Sequence, residues 1–170
     1  MKVALWVVSA IVVGVAMEPW AALLHGRVWH ALLWRVHRSH HVRRRGAWEA
    51  NDWLSVLHAP IAIALVLYGC RGPIGVVREI AFGAGLGMTL FGIAYVVVHD
   101  GLVHGRLPVA RLGRWRWLAR VRHAHLVHHR SASAPYGLFA GPWERARFER
   151  RSAHRVTLRS RGTRDARPSV

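Results

Sequence analysis

A single cysteine, Cys70, is all that the 170 residues contain, so neither an internal disulfide nor a paired-cysteine metal site can form. A lone cysteine of this kind is expected to be a small buried apolar residue. Acidic residues are also scarce: eight face 25 lysines and arginines, for a formal net charge of +17. Such a charge suits a nucleic-acid-binding protein, but the long uncharged stretches do not, and nucleic acid is excluded as the expected partner. Hydrophobic residues make up 52% of the chain. Anionic membrane lipids are the partner that fits both properties.

Three apolar stretches organise the chain. Residues 3 to 24 hold one charge, Glu18, and would span about 33 Å as a helix. Residues 54 to 70 and 80 to 98 carry no charge at all. The first stretch reads as a retained membrane helix rather than a secretory signal, because its run is long and no small-residue cleavage site follows. Glu18 is costly in lipid and should face the bundle interior with a partner, beside a kink at Pro19. Gly83, Gly85 and Gly87 suit close helix packing rather than phosphate binding, since no strand–turn context surrounds them.

The fold class expected is therefore all-α, an integral membrane helical bundle. Residues 1–143 form its membrane domain. Residues 144–170 form a basic tail, a helix fading into a disordered, lipid-facing end. Residues 107 to 124 are too rich in arginine to cross and should lie at the interface, anchored by Trp115 and Trp117. Charge sets the orientation. Six arginines lie between His25 and Asp52 and sixteen after His99, whereas only Arg71, Arg78 and Glu79 flank the Gly/Pro turn after Cys70. The arginine-rich segments should face the cytoplasm, so that a hairpin of two crossings returns the chain to the side it left.

Histidine is the residue in surplus. Ten of thirteen fall into four spaced groups: His25 and His30; His37, His40 and His41; His99 and His104; His125, His128 and His129. The order is H-x4-H, H-x2-HH, then the same pair again. On a helix, positions i, i+3 and i+4 share one face, so each H-x2-HH set is expected to converge on one point. Residues five apart lie about 140° around an α-helix, so the H-x4-H pairs are expected at helix ends, the second histidine reaching back. Neutral imidazole is a metal ligand, and ten exceed what one metal can hold. Two metals at the cytoplasmic face are expected, with Fe, Zn, Cu and Ni all compatible with nitrogen ligands. His58, His123 and His154 stand outside the groups and are expected to be satisfied or exposed rings.

The run from His25 to Asp52, then "HDGLVH" from His99 and "AHLVHH" from Ala124, resembles the bacterial β-carotene hydroxylases of the membrane fatty acid hydroxylase and sterol desaturase superfamily. The resemblance covers residues 10 to 143 and includes Met17 and Glu18. It implies a non-haem diiron enzyme that uses O2 and two electrons to hydroxylate C3 of a β-ionone ring, turning β-carotene toward zeaxanthin. The ten grouped histidines would hold the two irons. Electrons would come from a ferredoxin-type partner, since no flavin or haem motif is present. Asp100 would accept an imidazole N–H and orient that ligand, or start a turn with Gly101. Glu49, Asn51 and Asp52 would do the same or cap a helix, with Asp52 the natural cap. After the last box the family continues through a Gly-Cys segment that this chain lacks, and the partial match "YGLFAGP" would put Tyr136 and Phe139 at the substrate channel. The same boxes are compatible with a fatty acyl or sterol substrate. A non-catalytic protein that binds metal or anionic lipid is the alternative of a different class.

Overall fold

The structure, a computed structural model, describes residues 2–42, 48–73 and 75–165, with side chains as far as His154. Arg43, Arg44 and Arg45, counted above toward the charge bias, lie outside the described residues, as do residues 166–170 of the tail. Helix α1 (Lys2–Leu23) runs without interruption into a π-helical stretch, Leu24–Leu32, and α2 (Trp34–His41) follows. Two helices, α3 (Asp52–Val56) and α4 (Ala59–Cys70), form the second apolar segment. Pro60 sits in the first turn of α4, where its missing N–H removes no helical bond. Helix α5 (Val76–Tyr95) runs into a second π-helical stretch, Val96–Val103. A 3-10 turn (Ala110–Arg114), α6 (Arg116–Ser131) and α7 (Gly141–Asp165) complete the chain.

Three segments are long and apolar enough to cross a membrane: Lys2–Leu32, Asp52–Cys70 and Val76–Val103. Their outward faces are apolar, with Val8, Ile11, Val12, Ile63, Leu90 and Ile93 all exposed. Inside, the buried set is rich in polar residues, including His25, His37, Asn51, Asp52 and His99. That inverts the order of a water-soluble domain and matches a bundle whose solvent is lipid. Among the described residues no fourth segment, 107 to 124 included, is long and apolar enough to cross. Trp115 there is exposed, while Trp117 packs on Trp143 at 4.3 Å between ring centroids.

Helix α5 is the centre of the bundle, packed on both α1 and α4. Its glycines make this possible. A Cβ at Gly83 would collide with Ser9 and the Trp6 carbonyl, and one at Gly87 with the Ala10 carbonyl. Gly85 points the other way, where a Cβ would lie 2.8 Å from the Val66 Cγ2 of α4. Two acidic side chains of the bundle reach across it to other elements. Glu79 accepts from the Trp6 indole, and Glu18 Oε1 accepts from the backbone N–H of Ala140 at 2.7 Å. Cys70 corrects the expectation of burial: it is exposed, as the last residue of α4, where no neighbouring helix covers it. Helix α4 leads away from the histidines and α5 returns to them, so all four groups meet at one end.

Candidate metal centre

The H-x4-H pairs do not sit at simple helix ends. His25 and His30 lie within the first π-helical stretch, and His99 lies in the second with His104 immediately after it. In a π-helix each N–H bonds the carbonyl five residues back. The bonds from His104 N to His99 O (3.1 Å) and from Leu33 N to Val28 O (2.8 Å) have that span. Residues five apart then face the same way, which an α-helix would forbid. The ring centroids of His25 and His30 are 5.1 Å apart, and those of His99 and His104 are 4.7 Å apart.

The H-x2-HH sets lie on α2 and α6, as their spacing implies, but neither converges on one point. Adjacent helical residues diverge by about 100°, so His40 and His41 cannot aim at the same atom. One group of ligand atoms comprises His25, His30, His37, His41 and His128; the other comprises His40, His99, His104 and His125. Within each group these atoms lie within 4.8 Å of one another. The tenth histidine adjoins the second group, His129 Nε2 being 3.0 Å from His125 Nε2 while its ring stacks on His41 at 4.5 Å. Each H-x2-HH box therefore straddles both groups and ties them together. Of the remaining histidines, His123 is exposed and His58 Nε2 accepts from the Trp20 indole at 2.9 Å.

For five of the rings, the nitrogen presented is set by what lies behind it. Nδ1 of His25 donates to the Tyr136 carbonyl at 2.8 Å, that of His37 to Asn51 Oδ1 at 2.7 Å, and that of His128 to the Ser133 carbonyl at 2.7 Å. Nδ1 of His40 donates to Glu49 at 3.1 Å and that of His99 to Asp100 at 2.8 Å. A neutral imidazole with Nδ1–H engaged carries its lone pair on Nε2. These lone pairs crowd together: His25 and His37 Nε2 are 3.1 Å apart, and His40 and His99 Nε2 are 3.0 Å apart. Lone pairs at that distance repel unless a cation lies among them. The spacing is also about the edge of an octahedron with metal–nitrogen bonds of about 2.1 Å. His104 Nε2 is buried with no hydrogen-bond partner, a further donor that a metal would satisfy. The residues fit two metal ions.

Burial, reinforced by neighbouring imidazoles, keeps six of the rings neutral. It pushes His37 down to about 3, against the Asn51 bond, and His104 also to about 3. His41 and His128 fall to about 4, and His125 and His129 lie well below the usual imidazole range. All are ligands without first losing a proton at neutral pH.

Asp100, Glu49 and Asn51 thus sit directly behind cage imidazoles. Asp52 does not cap α3 from outside. It is the first helical residue, and its carboxylate accepts from the Glu49 N–H at 3.0 Å and from Arg106 at 2.6 and 3.2 Å. Arg106 also donates to Glu49 at 2.7 Å. It reaches this position because Gly105 turns the chain at φ +68 directly after His104.

Tyr136 and Phe139 lie elsewhere than in the main cavity. The Tyr136 ring covers His25 and His30 at 5.7 and 5.4 Å, and Phe139 packs on Phe91 at 6.0 Å. The chain after α6 folds back over the cage there, held by Glu144, which accepts from the N–H of Tyr136 at 2.8 Å. A cavity of about 510 Å³ lies instead among α1, α4 and α5, lined by Met17, Trp29, Ile63, Met88 and Tyr95 with other apolar side chains. It ends at the histidines: the Trp29 ring lies 5.7 Å from His25, and Tyr95 stacks on His99 at 4.7 Å.

An all-helical bundle of membrane-crossing length, closed at one end by ten imidazoles, defines a histidine-box membrane protein. The chain belongs to the fatty acid hydroxylase family, whose model matches residues 10–147. It is 43% identical over 157 residues to beta-carotene 3-hydroxylase 2, chloroplastic, of Arabidopsis thaliana, covering 88% of this chain and 52% of that protein. Beta-carotene hydroxylase 2, chloroplastic, of Capsicum annuum is 48% identical over 132 residues, covering 76% and 42%. Beta-carotene hydroxylase of Pseudescherichia vulneris is 43% identical over 115 residues, covering 68% and 62%. The chain thus spans roughly half the length of its plant relatives. No solved structure matches it.

Proposed function

We propose that this chain is a membrane oxygenase that hydroxylates C3 of the β-ionone ring of β-carotene, toward zeaxanthin, using two iron ions and O2. The observation that carries the reading is the meeting of two convergent imidazole sets with the end of an apolar cavity, where Tyr95 and Trp29 touch both. Family membership and the names of the relatives support it.

His25, His30, His37, His41 and His128 hold one metal, and His40, His99, His104, His125 and His129 the other. Bound iron supplies the activation of O2 and the oxidation of an unactivated C–H bond, redox work that zinc does not do. Everything else belongs to the chain. The Nδ1 bonds to Asn51, Glu49, Asp100 and the backbone fix the tautomer and direction of His25, His37, His40, His99 and His128. The cavity receives one ring of the carotenoid from the bilayer, excludes water and sets which carbon faces the cage.

A ferredoxin-type protein delivers the electrons. The arginine bias supports a reading in which the cage and the C-terminus face the cytoplasmic side of the inner membrane, with residues 1–143 as the hydroxylase domain and the basic segment 144–170 on anionic lipid. Expression in bacteria that accumulate β-carotene, followed by pigment chromatography, tests the reading. Hydroxylated carotenoid is expected, and its absence from inserted, iron-loaded protein overturns the assignment. The family's own description favours a second reading, an acyl-chain substrate at the same cage, which supplied fatty acids would reveal.

A further inference from the structure

The two metal positions differ in what stands behind their imidazoles. In the five-histidine group the acceptors are neutral: Asn51 Oδ1 behind His37, the Tyr136 carbonyl behind His25 and the Ser133 carbonyl behind His128. In the other group they are carboxylates, Glu49 behind His40 at 3.1 Å and Asp100 behind His99 at 2.8 Å. Among the described residues these are the two carboxylate–imidazole pairs of the cage. Glu18 and Glu144 meet near Gly137, and their hydrogen bonds go to the backbone N–H groups of Ala140, Tyr136 and Gly137.

Arg106 joins the two carboxylates into one unit. It donates to Glu49 at 2.7 Å and to Asp52 at 2.6 Å, and lies 3.8 Å from Asp100. One guanidinium against three carboxylates gives the unit a formal negative charge. The four side chains are largely buried, so this charge is only partly screened. A carboxylate that accepts an imidazole N–H makes the opposite nitrogen a stronger donor. Two such nitrogens, His40 Nε2 and His99 Nε2, meet 3.0 Å apart.

We infer that the two metal positions are electronically inequivalent, and that Glu49, Asp100 and Arg106 are positioning residues that make the His40–His99 position the first to give up an electron. The inference rests on the two-iron reading above. When ferricyanide takes one electron from the fully ferrous protein, the iron at His40 and His99 becomes ferric and ferricyanide becomes ferrocyanide. The iron of the five-histidine group stays ferrous. Arg106 holds both carboxylates aimed at their imidazoles, while Asn51 offers the other position a neutral acceptor.

The test uses the full chain in lipid nanodiscs, loaded with 57Fe without oxygen, with iron counted per chain before Mössbauer spectra are taken. Two quadrupole doublets of equal area are expected, and one equivalent of ferricyanide should convert one of them alone. Glu49→Gln and Asp100→Asn should shift that doublet and raise the potential at which it is oxidised, sparing the other. Asn51→Asp should move the other doublet instead. Arg106→Lys, which retains the charge, should keep two irons with an intermediate shift. A single doublet, ferric iron shared equally between positions, or carboxylate variants that move both doublets or neither overturn the inference and leave the two-iron reading intact. Fewer than two irons per chain overturns both.

Discussion

Tyr95 stacks on His99 with ring centroids 4.7 Å apart and planes 28° apart, and the same Tyr95 lines the apolar cavity. One side chain therefore touches both the cage and the place where an apolar substrate would rest. Tyr95→Phe preserves the stack and should retain hydroxylation. Tyr95→Ala opens the cavity end and should keep two irons while lowering hydroxylation by about 100-fold, the scale of a misplacement near 1 Å. Chromatography of the products, beside iron analysis of the same preparations, separates the two effects.

The division of the histidines predicts selective metal loss. His41→Ala removes a ligand of the five-histidine group and His99→Ala one of the other, each shared with no second group. Each variant should bind about one iron where the parent binds two, and both should lose hydroxylation. Elemental analysis of purified protein decides. Loss of both irons from either variant would show one indivisible site rather than two.

The meeting of the ten histidines was legible because ligand-type spacing is local and histidine is otherwise rare in apolar segments. Their partition was not. Reading H-x2-HH as one converging face ignores the 100° between His40 and His41, which sends them to different groups. The π-helical turns that align His25 with His30 and His99 with His104 are equally hidden, because α-helical periodicity has no five-residue repeat. Arg106 was lost among 25 basic residues, although its place two positions after His104 was a usable signal. Met17, Met88 and Tyr95 carry no mark in apolar helices that distinguishes a cavity wall from a lipid face. The three crossings and their glycines were plain, since length and small-residue spacing report them directly.

Packing of α5 predicts a contrast between glycines. Gly87→Val would drive a side chain into the Ala10 backbone of α1, where nothing flexible can yield, and should cost at least 1–3 kcal/mol, on the order of overpacking in a tight core. Gly92 has open space around it, so Gly92→Ala should be tolerated. Yield of monodisperse protein and thermal unfolding in detergent should fall for the first and hold for the second.

Acid should destabilise the metal-free protein. The folded pKa of His37 is about 3, below the free imidazole value near 6.5. Between these values the unfolded chain takes up a proton that the folded chain refuses. Stability is therefore full above about pH 6.5 and falls as pH drops toward 3, by up to about 1.4 kcal/mol per pH unit for a buried ring such as His37. The apparent Tm of chelator-treated protein should decline from pH 7 to pH 5. A Tm that stays flat across that range would mean that the empty cage admits water and protons.

The central claim is that this histidine cage inserts oxygen from O2 into a carotenoid ring. Purified, iron-loaded protein in nanodiscs can be given β-carotene, reduced ferredoxin and 18O2, and the product examined by mass spectrometry. The account predicts hydroxylated carotenoid with one 18O for each new hydroxyl group. Hydroxyl oxygen drawn from water, or no hydroxylated product from protein holding two irons, would contradict it.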